Sequence, residues 1–220
     1  MLAVRIIPTL LYRGTTLVKG ERFTGDRSVG HVQQAARIHA TRGVDELIML
    51  DIGATPNGRG PDIDLVRKMT AHTFTPVTIG GGISTTSHVE ALLGAGADKV
   101  SIKTAWDHSP AFLRTLANRY GSQAICVAID YRAGEEAAAA DRAARAEDLG
   151  AGEILLTAMD REATLSGYDI RTIAHVSLYR SIPVIAHGGC GSYDHMVEAI
   201  KAGASAVAAG AMFQFCDATP

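Results

Sequence analysis

The chain has 220 residues, is 47% hydrophobic and carries a formal net charge of −2, which suits one well-buried α/β domain and gives no basic surplus for nucleic acid. No run approaches the ~18 apolar residues of a membrane span, and the N-terminus lacks a charged segment followed by an apolar run and a cleavage site, so a cytoplasmic protein is expected. Cys126, Cys190 and Cys216 stand singly, without the spacing of a metal site, so free buried thiols are expected, with no metal and no cofactor.

In chain order, β-branched runs predict strands near 4–10, 46–51, 76–79, 98–102, 124–130, 153–157, 183–186 and 205–210. Between them, helical spacing of apolar residues predicts helices near 31–42, 62–71, 86–94, 109–120, 135–149, 169–178 and 193–201, as in Val89, Leu92 and Leu93 or Met196 and Ile200. Strict alternation forces parallel pairing. The expected fold is a single closed (β/α)₈ barrel over residues 1–220, with a doubly wound sheet as the alternative. Only residues 212–220 follow strand eight, so the eighth helix is expected to be missing or truncated. Phe213 and Phe215 are expected to fold over part of the strip it would cover, and a second copy of the chain or a partner to cover the rest.

The two halves, about 1–120 and 121–220, repeat one another. Residues 4–13 align with 123–132, Glu46-Leu47-Ile48 with Glu153-Ile154-Leu155, Pro76-Val77 and Gly80-Gly81-Gly82 with Pro183-Val184 and His187-Gly188-Gly189, and Gly96-Ala97 with Gly203-Ala204. A fixed period of this length marks a duplicated unit. The offset is 119 residues at Leu11/Asp130 and 107 at Glu46/Glu153, so the second half is twelve residues shorter between Arg132 and Glu153. Asp130 thus falls opposite Leu11, a carboxylate at one strand tip and an aliphatic side chain at the other.

Several strings resemble the cyclase subunit of imidazole glycerol phosphate synthase: Val4-Arg5-Ile6-Ile7-Pro8, Asp45-Glu46-Leu47, Gly80-Gly81-Gly82-Ile83, residues 96–102 and 121–124, Ala128-Ile129-Asp130, residues 150–157 and Ser166-Gly167-Tyr168-Asp169. The match runs nearly end to end. The resemblance implies a barrel that takes ammonia from a glutaminase docked on its N-terminal face. Two aspartates, at the tips of strands one and five, would be its acid and base, and only Asp130 is present here. Leu11 and the strand-eight run Val207–Phe213 are more similar to a paralogous branch that accompanies amidation of sugars in surface polysaccharides.

On that resemblance, Asp130 and Lys19 are the candidate catalytic residues, Lys19 standing on a mobile loop after strand one. Asp130 can act as a general base or bind ammonium; the bland alternative is a strand-end aspartate capping its own loop. Gly81, Gly82, Gly188, Gly189 and Gly210 allow close backbone approach to an anion, although tight strand-to-helix turns need glycine anyway. Lys103 and Thr104 occupy the strand-four phosphate positions, where Lys103 is expected to act as a point charge. At strand six the family's Asp-Gly reads Glu162-Ala163. Arg5, Glu46, Lys99 and Glu153 match a charged ring around an ammonia entrance, with Thr78 lining the route upward; the bland alternative is a structural plug. The eight histidines show no metal-binding pattern. His187 and Asp51 are upper-face candidates, and His187 is expected to titrate near neutrality.

The expected function is a barrel that passes ammonia from a glutaminase to a phosphorylated or nucleotide-linked small molecule, by resemblance a sugar nucleotide. The alternatives are a cyclase subunit of imidazole glycerol phosphate synthase in histidine biosynthesis, and a non-catalytic scaffold that activates a glutaminase.

Overall fold

The computed structural model describes residues 4–71 and 73–215; Cys216 lies outside them. The elements run β1 (Arg5–Arg13), β2 (Thr16–Glu21), β3 (Thr24–His31), α1 (Val32–Thr41), β4 (Leu47–Asp51), α2 (Ile63–Thr70), β5 (Val77–Gly80), α3 (Thr86–Gly94), β6 (Lys99–Ile102), α4 (Thr104–His108) and α5 (Pro110–Tyr120). They continue with β7 (Ile125–Tyr131), α6 (Glu136–Asp148), β8 (Glu153–Ala158), α7 (Ile170–Leu178), β9 (Val184–His187), α8 (Tyr193–Lys201), β10 (Ala206–Ala209) and α9 (Ala211–Phe215). Strands β1, β4, β5, β6, β7, β8, β9 and β10 pair in that order, all parallel, and β10 returns to β1 with Arg5 opposite Ala206 and Pro8 opposite Ala209. This closure makes the expected (β/α)₈ barrel and excludes the open doubly wound sheet.

Strand periodicity sorts the side chains into two cores. On β7, Ile125, Val127 and Ile129 point outward into the shell beneath the helices, together with Leu92, Leu116, Ile154 and Val207. Cys126 and Ala128 point inward, where they meet Ile7, Ile48, Leu155, Ile185, Ala206 and Ala208. The inner column stays narrow because half of it is Ala or Cys. Burial pushes the Cys126 thiol pKa up; Cys126 and Cys190 are both buried.

The sequence repeat is legible in helix caps. Asp62 accepts from the Leu65 amide and its repeat partner Asp169 from the Thr172 amide. Likewise Thr85 accepts from the His88 amide and Ser192 from the His195 amide. Each of these histidines then accepts, at Nδ1, a backbone N–H from the residue just before its cap, Ser84 at 3.3 Å and Gly191 at 3.1 Å. Side chains thus satisfy amides that the first helical turns leave without intrahelical partners, at matching places in the two halves.

The fold departs from the sequence reading after β1. Residues 16–31 form a hairpin that continues the sheet beyond β1, with Tyr12 opposite Leu17 and Arg13 opposite Thr16. Strand eight is followed by the five-residue α9, in keeping with the expected truncated eighth helix. Its Phe213 packs on the outer core and meets the His39 ring edge-on, the centroids 6.1 Å apart, so part of the strip next to β1 is covered from within the chain. The Phe215 side chain lies outside what the structure describes. Among the described residues, no helix is long and apolar enough to cross a membrane.

Candidate active site

The two mouths of the barrel differ in kind. At the N-terminal mouth, Arg5 and Lys99 each bridge Glu46 and Glu153. The distances are 2.5 and 3.0 Å from Arg5 and 3.1 and 2.8 Å from Lys99, so the four side chains close a ring of alternating charge. Thr78 donates to Glu46 Oε1 at 2.8 Å. β1, β6 and β8 begin at Arg5, Lys99 and Glu153, and Glu46 immediately precedes β4, so chain geometry alone delivers all four to one level. The carboxylates are buried, while the cations keep 29% and 19% of their side-chain surface. Burial opposes the Arg5 charge, but Glu153 and Glu46 more than offset it and raise the guanidinium pKa.

At the C-terminal mouth lies a cavity of about 390 Å³. Leu11, Leu50, Ile102, Ala128 and Leu155 give it an apolar floor; Asp51, Gly81, Gly82, Lys103, Thr104, Asp130, Thr157, Glu162 and His187 complete the wall. Leu11 and Asp130, repeat partners in sequence, both face this cavity. Asp130 does not cap its own loop: it is ion-paired with Lys103 from the next strand. Lys103, expected to grip a phosphate or carboxylate as a point charge, is paired here with a carboxylate of the same cavity. Asp51 is held by Arg59 at 2.6 Å and by the Gly53 amide at 3.0 Å.

Two expectations are corrected here. Lys19 is not on a solvated loop. It lies on β2, is 3% exposed, and pairs with the equally buried Glu162 beyond β8. A backbone bond from Arg22 to the Glu162 carbonyl, 3.0 Å long, anchors the hairpin tip at the same place. The β1–β2 turn swings the chain back over the barrel mouth, which spacing alone does not reveal. His187 does not titrate near neutrality: it is buried, and desolvation together with the nearby Lys19 ammonium lowers its pKa to about 3. Its Nδ1 lies 3.2 Å from Thr157 Oγ1.

The glycines have structural work of their own. Gly81 and Gly188, repeat partners, sit at φ 107° and 95°, and a Cβ on either would run into a carbonyl oxygen, that of Asp51 or of its repeat partner Ala158. Gly81 and Gly82 line the cavity, whereas Gly188, Gly189 and Gly210 are not among its lining residues. A Cβ on Gly210 would come within 3.0 Å of Lys19 Nζ. Ala163 keeps a left-handed backbone, φ 61°, in the place where the related pattern has glycine, a conformation that costs an L-residue about 1 kcal/mol or more.

Sequence reasoning passed over Thr157, Arg59 and the partnership of Glu162. Thr157 was within reach, because Glu153, Leu155 and Thr157 alternate along one strand and must share its inner face. No local signal marks Arg59 or the partner of Glu162, because these pairings are set by how loops close.

A closed parallel barrel with a ligand-sized cavity at its C-terminal mouth has the layout of a TIM-barrel enzyme, in which loops after the strands carry the chemistry and the opposite face carries stability. The chain belongs to the histidine biosynthesis protein family, whose pattern it matches over residues 5–219. It is 43% identical over 235 residues to the imidazole glycerol phosphate synthase subunit HisF of Bacillus cereus, covering 100% of this chain and 93% of the relative. The proteins of the same name from Streptomyces avermitilis and Streptomyces coelicolor are 41% and 40% identical over 231 residues, covering 98% of this chain and 92% of each relative. These relatives carry the synthase name, so the resemblance to a sugar-modifying branch gains no support from them.

Proposed function

We propose that the chain is the ammonia-using barrel subunit of an imidazole glycerol phosphate synthase-type assembly. Ammonia released by a separate glutaminase on the N-terminal face enters through the Arg5–Glu46–Lys99–Glu153 ring and reacts in the upper cavity beside Asp130. The observation that carries this reading is that ring and cavity lie at opposite mouths of one barrel, with small inner residues such as Cys126, Ala128, Ala206 and Ala208 between them. Thr9, on the strand that carries Arg5 and Leu11, has a buried hydroxyl without a hydrogen-bond partner, a polar step suited to a small donor molecule. The names borne by the relatives support the same reaction.

Leu11 favours a second reading. With one carboxylate instead of two at the repeat-related tips, and with Asp130 already paired to Lys103, the cavity suits ammonia transfer to a different acceptor, such as the sugar nucleotide of the sequence reading. Supplying the purified chain with ammonium chloride and the nucleotide substrate of the synthase separates the two. Formation of imidazole glycerol phosphate at about 1 s⁻¹ or faster, the lower end of ordinary enzymatic turnover, supports the first. No product from a folded chain that still stimulates its glutaminase supports the second.

A further inference from the structure

Asp130, Thr157 and His187 stand in one row. Asp130 is in register with Thr157 across β7 and β8, and Thr157 with His187 across β8 and β9. All three line the cavity. At about 4.8 Å per strand spacing, Asp130 and His187 start about 10 Å apart at the backbone, so their side chains can reach opposite ends of one small reacting group. The Thr157 hydroxyl engages Nδ1 of His187, which leaves the ring edge bearing Nε2 for whatever fills the cavity.

The surroundings keep that ring uncharged. The Lys19 ammonium lies near it and is itself paired with Glu162. The 3.2 Å contact serves either tautomer; the one in which Thr157 donates to Nδ1 puts the ring proton on Nε2, the form in which an imidazole polarises an electrophile rather than serving as a base.

We propose that His187 is a further catalytic residue, the donor that stabilises developing negative charge on the acceptor, while Asp130 takes the proton lost by ammonia. The inference rests on the ammonia-addition reading above. As the nitrogen–carbon bond forms, the π pair of the acceptor's carbonyl or imine moves onto its heteroatom, which His187 Nε2–H hydrogen-bonds. The proton shed by the attacking nitrogen goes to Asp130 and from there to that heteroatom, so His187 ends the step as it began. The imidazole thereby supplies the second polar group that Leu11 cannot.

The test combines a spectroscopic and a kinetic readout. With ¹⁵N-histidine labelling, His187 is expected to show a neutral ring protonated on Nε2 from pH 5 to 8, and its Nε2 signal to move on addition of imidazole glycerol phosphate. With ammonium chloride and the synthase nucleotide, His187→Ala is expected to lose about a hundredfold in kcat with KM changed less than threefold. His187→Gln, which keeps an N–H donor, is expected to recover at least tenfold of that loss. A charged ring or Nδ1–H form at pH 7, turnover of the Ala variant within threefold of wild type, or a signal unmoved by the product would each overturn the assignment. A wild-type chain inert toward the nucleotide whose His187 signal still moves with the product would sink the synthase reading and support the contact of His187 with ligand.

Discussion

Asp130 and Lys103, at the tips of neighbouring strands, are ion-paired across the wall of the upper cavity, while Leu11, the repeat partner of Asp130, offers no charge at the opposite tip. The internal symmetry of the barrel is therefore broken at the place where chemistry would occur, and kept at the helix caps and glycine turns that build the scaffold. Removing the carboxylate alone is the direct test. Asp130→Asn is expected to lower ammonia-dependent turnover by about two orders of magnitude, the range for a positioned acid or base, with little change in thermal stability. Unchanged turnover would reduce Asp130 to holding Lys103 in place.

The lower ring makes a stability prediction that its partial hydration moderates. Loss of one partner from a fully dry ion pair costs about 3–5 kcal/mol; here Lys99 keeps some contact with water, so Lys99→Ala is expected to cost about 2 kcal/mol in urea unfolding. The same variant is expected to uncouple glutamine hydrolysis from product formation in the assembled complex. If glutamine use and product remain in step, the ring is a structural plug.

The hairpin is held over the mouth by a buried pair. Lys19→Met leaves the Glu162 carboxylate buried and unpaired, with an expected loss of about 3–5 kcal/mol. Adding Glu162→Gln is expected to recover most of it, and a double-mutant cycle reports the coupling. Additive losses from the two substitutions would mean that the pair does not hold the hairpin.

His187 predicts a pH dependence of stability. Its folded pKa, about 3, lies below the ordinary value of 6.5, so between those values the unfolded chain binds a proton that the folded chain does not. Its contribution is present above pH 6.5 and is lost as pH falls toward 3, by up to about 1.4 kcal/mol per pH unit. Urea titrations of wild type and His187→Gln from pH 7 to 4.5 are expected to diverge, wild type falling faster. Parallel curves would mean that His187 takes up its proton as readily in the folded chain as in the unfolded one.

Much of the scaffold was legible without coordinates, because its determinants are local or periodic. Alternation along residues 125–130 separates the outer core from the inner, and the offset between Glu46 and Glu153 announces two halves. Arg5, Glu46, Lys99 and Glu153 were brought to one level simply by standing where strands begin. What only the tertiary structure decided were partnerships across loops: Lys19 with Glu162, Lys103 with Asp130, Arg59 with Asp51, and the burial that keeps His187 uncharged. A side chain's position on a strand follows from a two-residue period, but its charge state depends on what closes over it. That depends on how the 16–31 hairpin and the loop after β8 meet, a contact between segments more than a hundred residues apart in the chain.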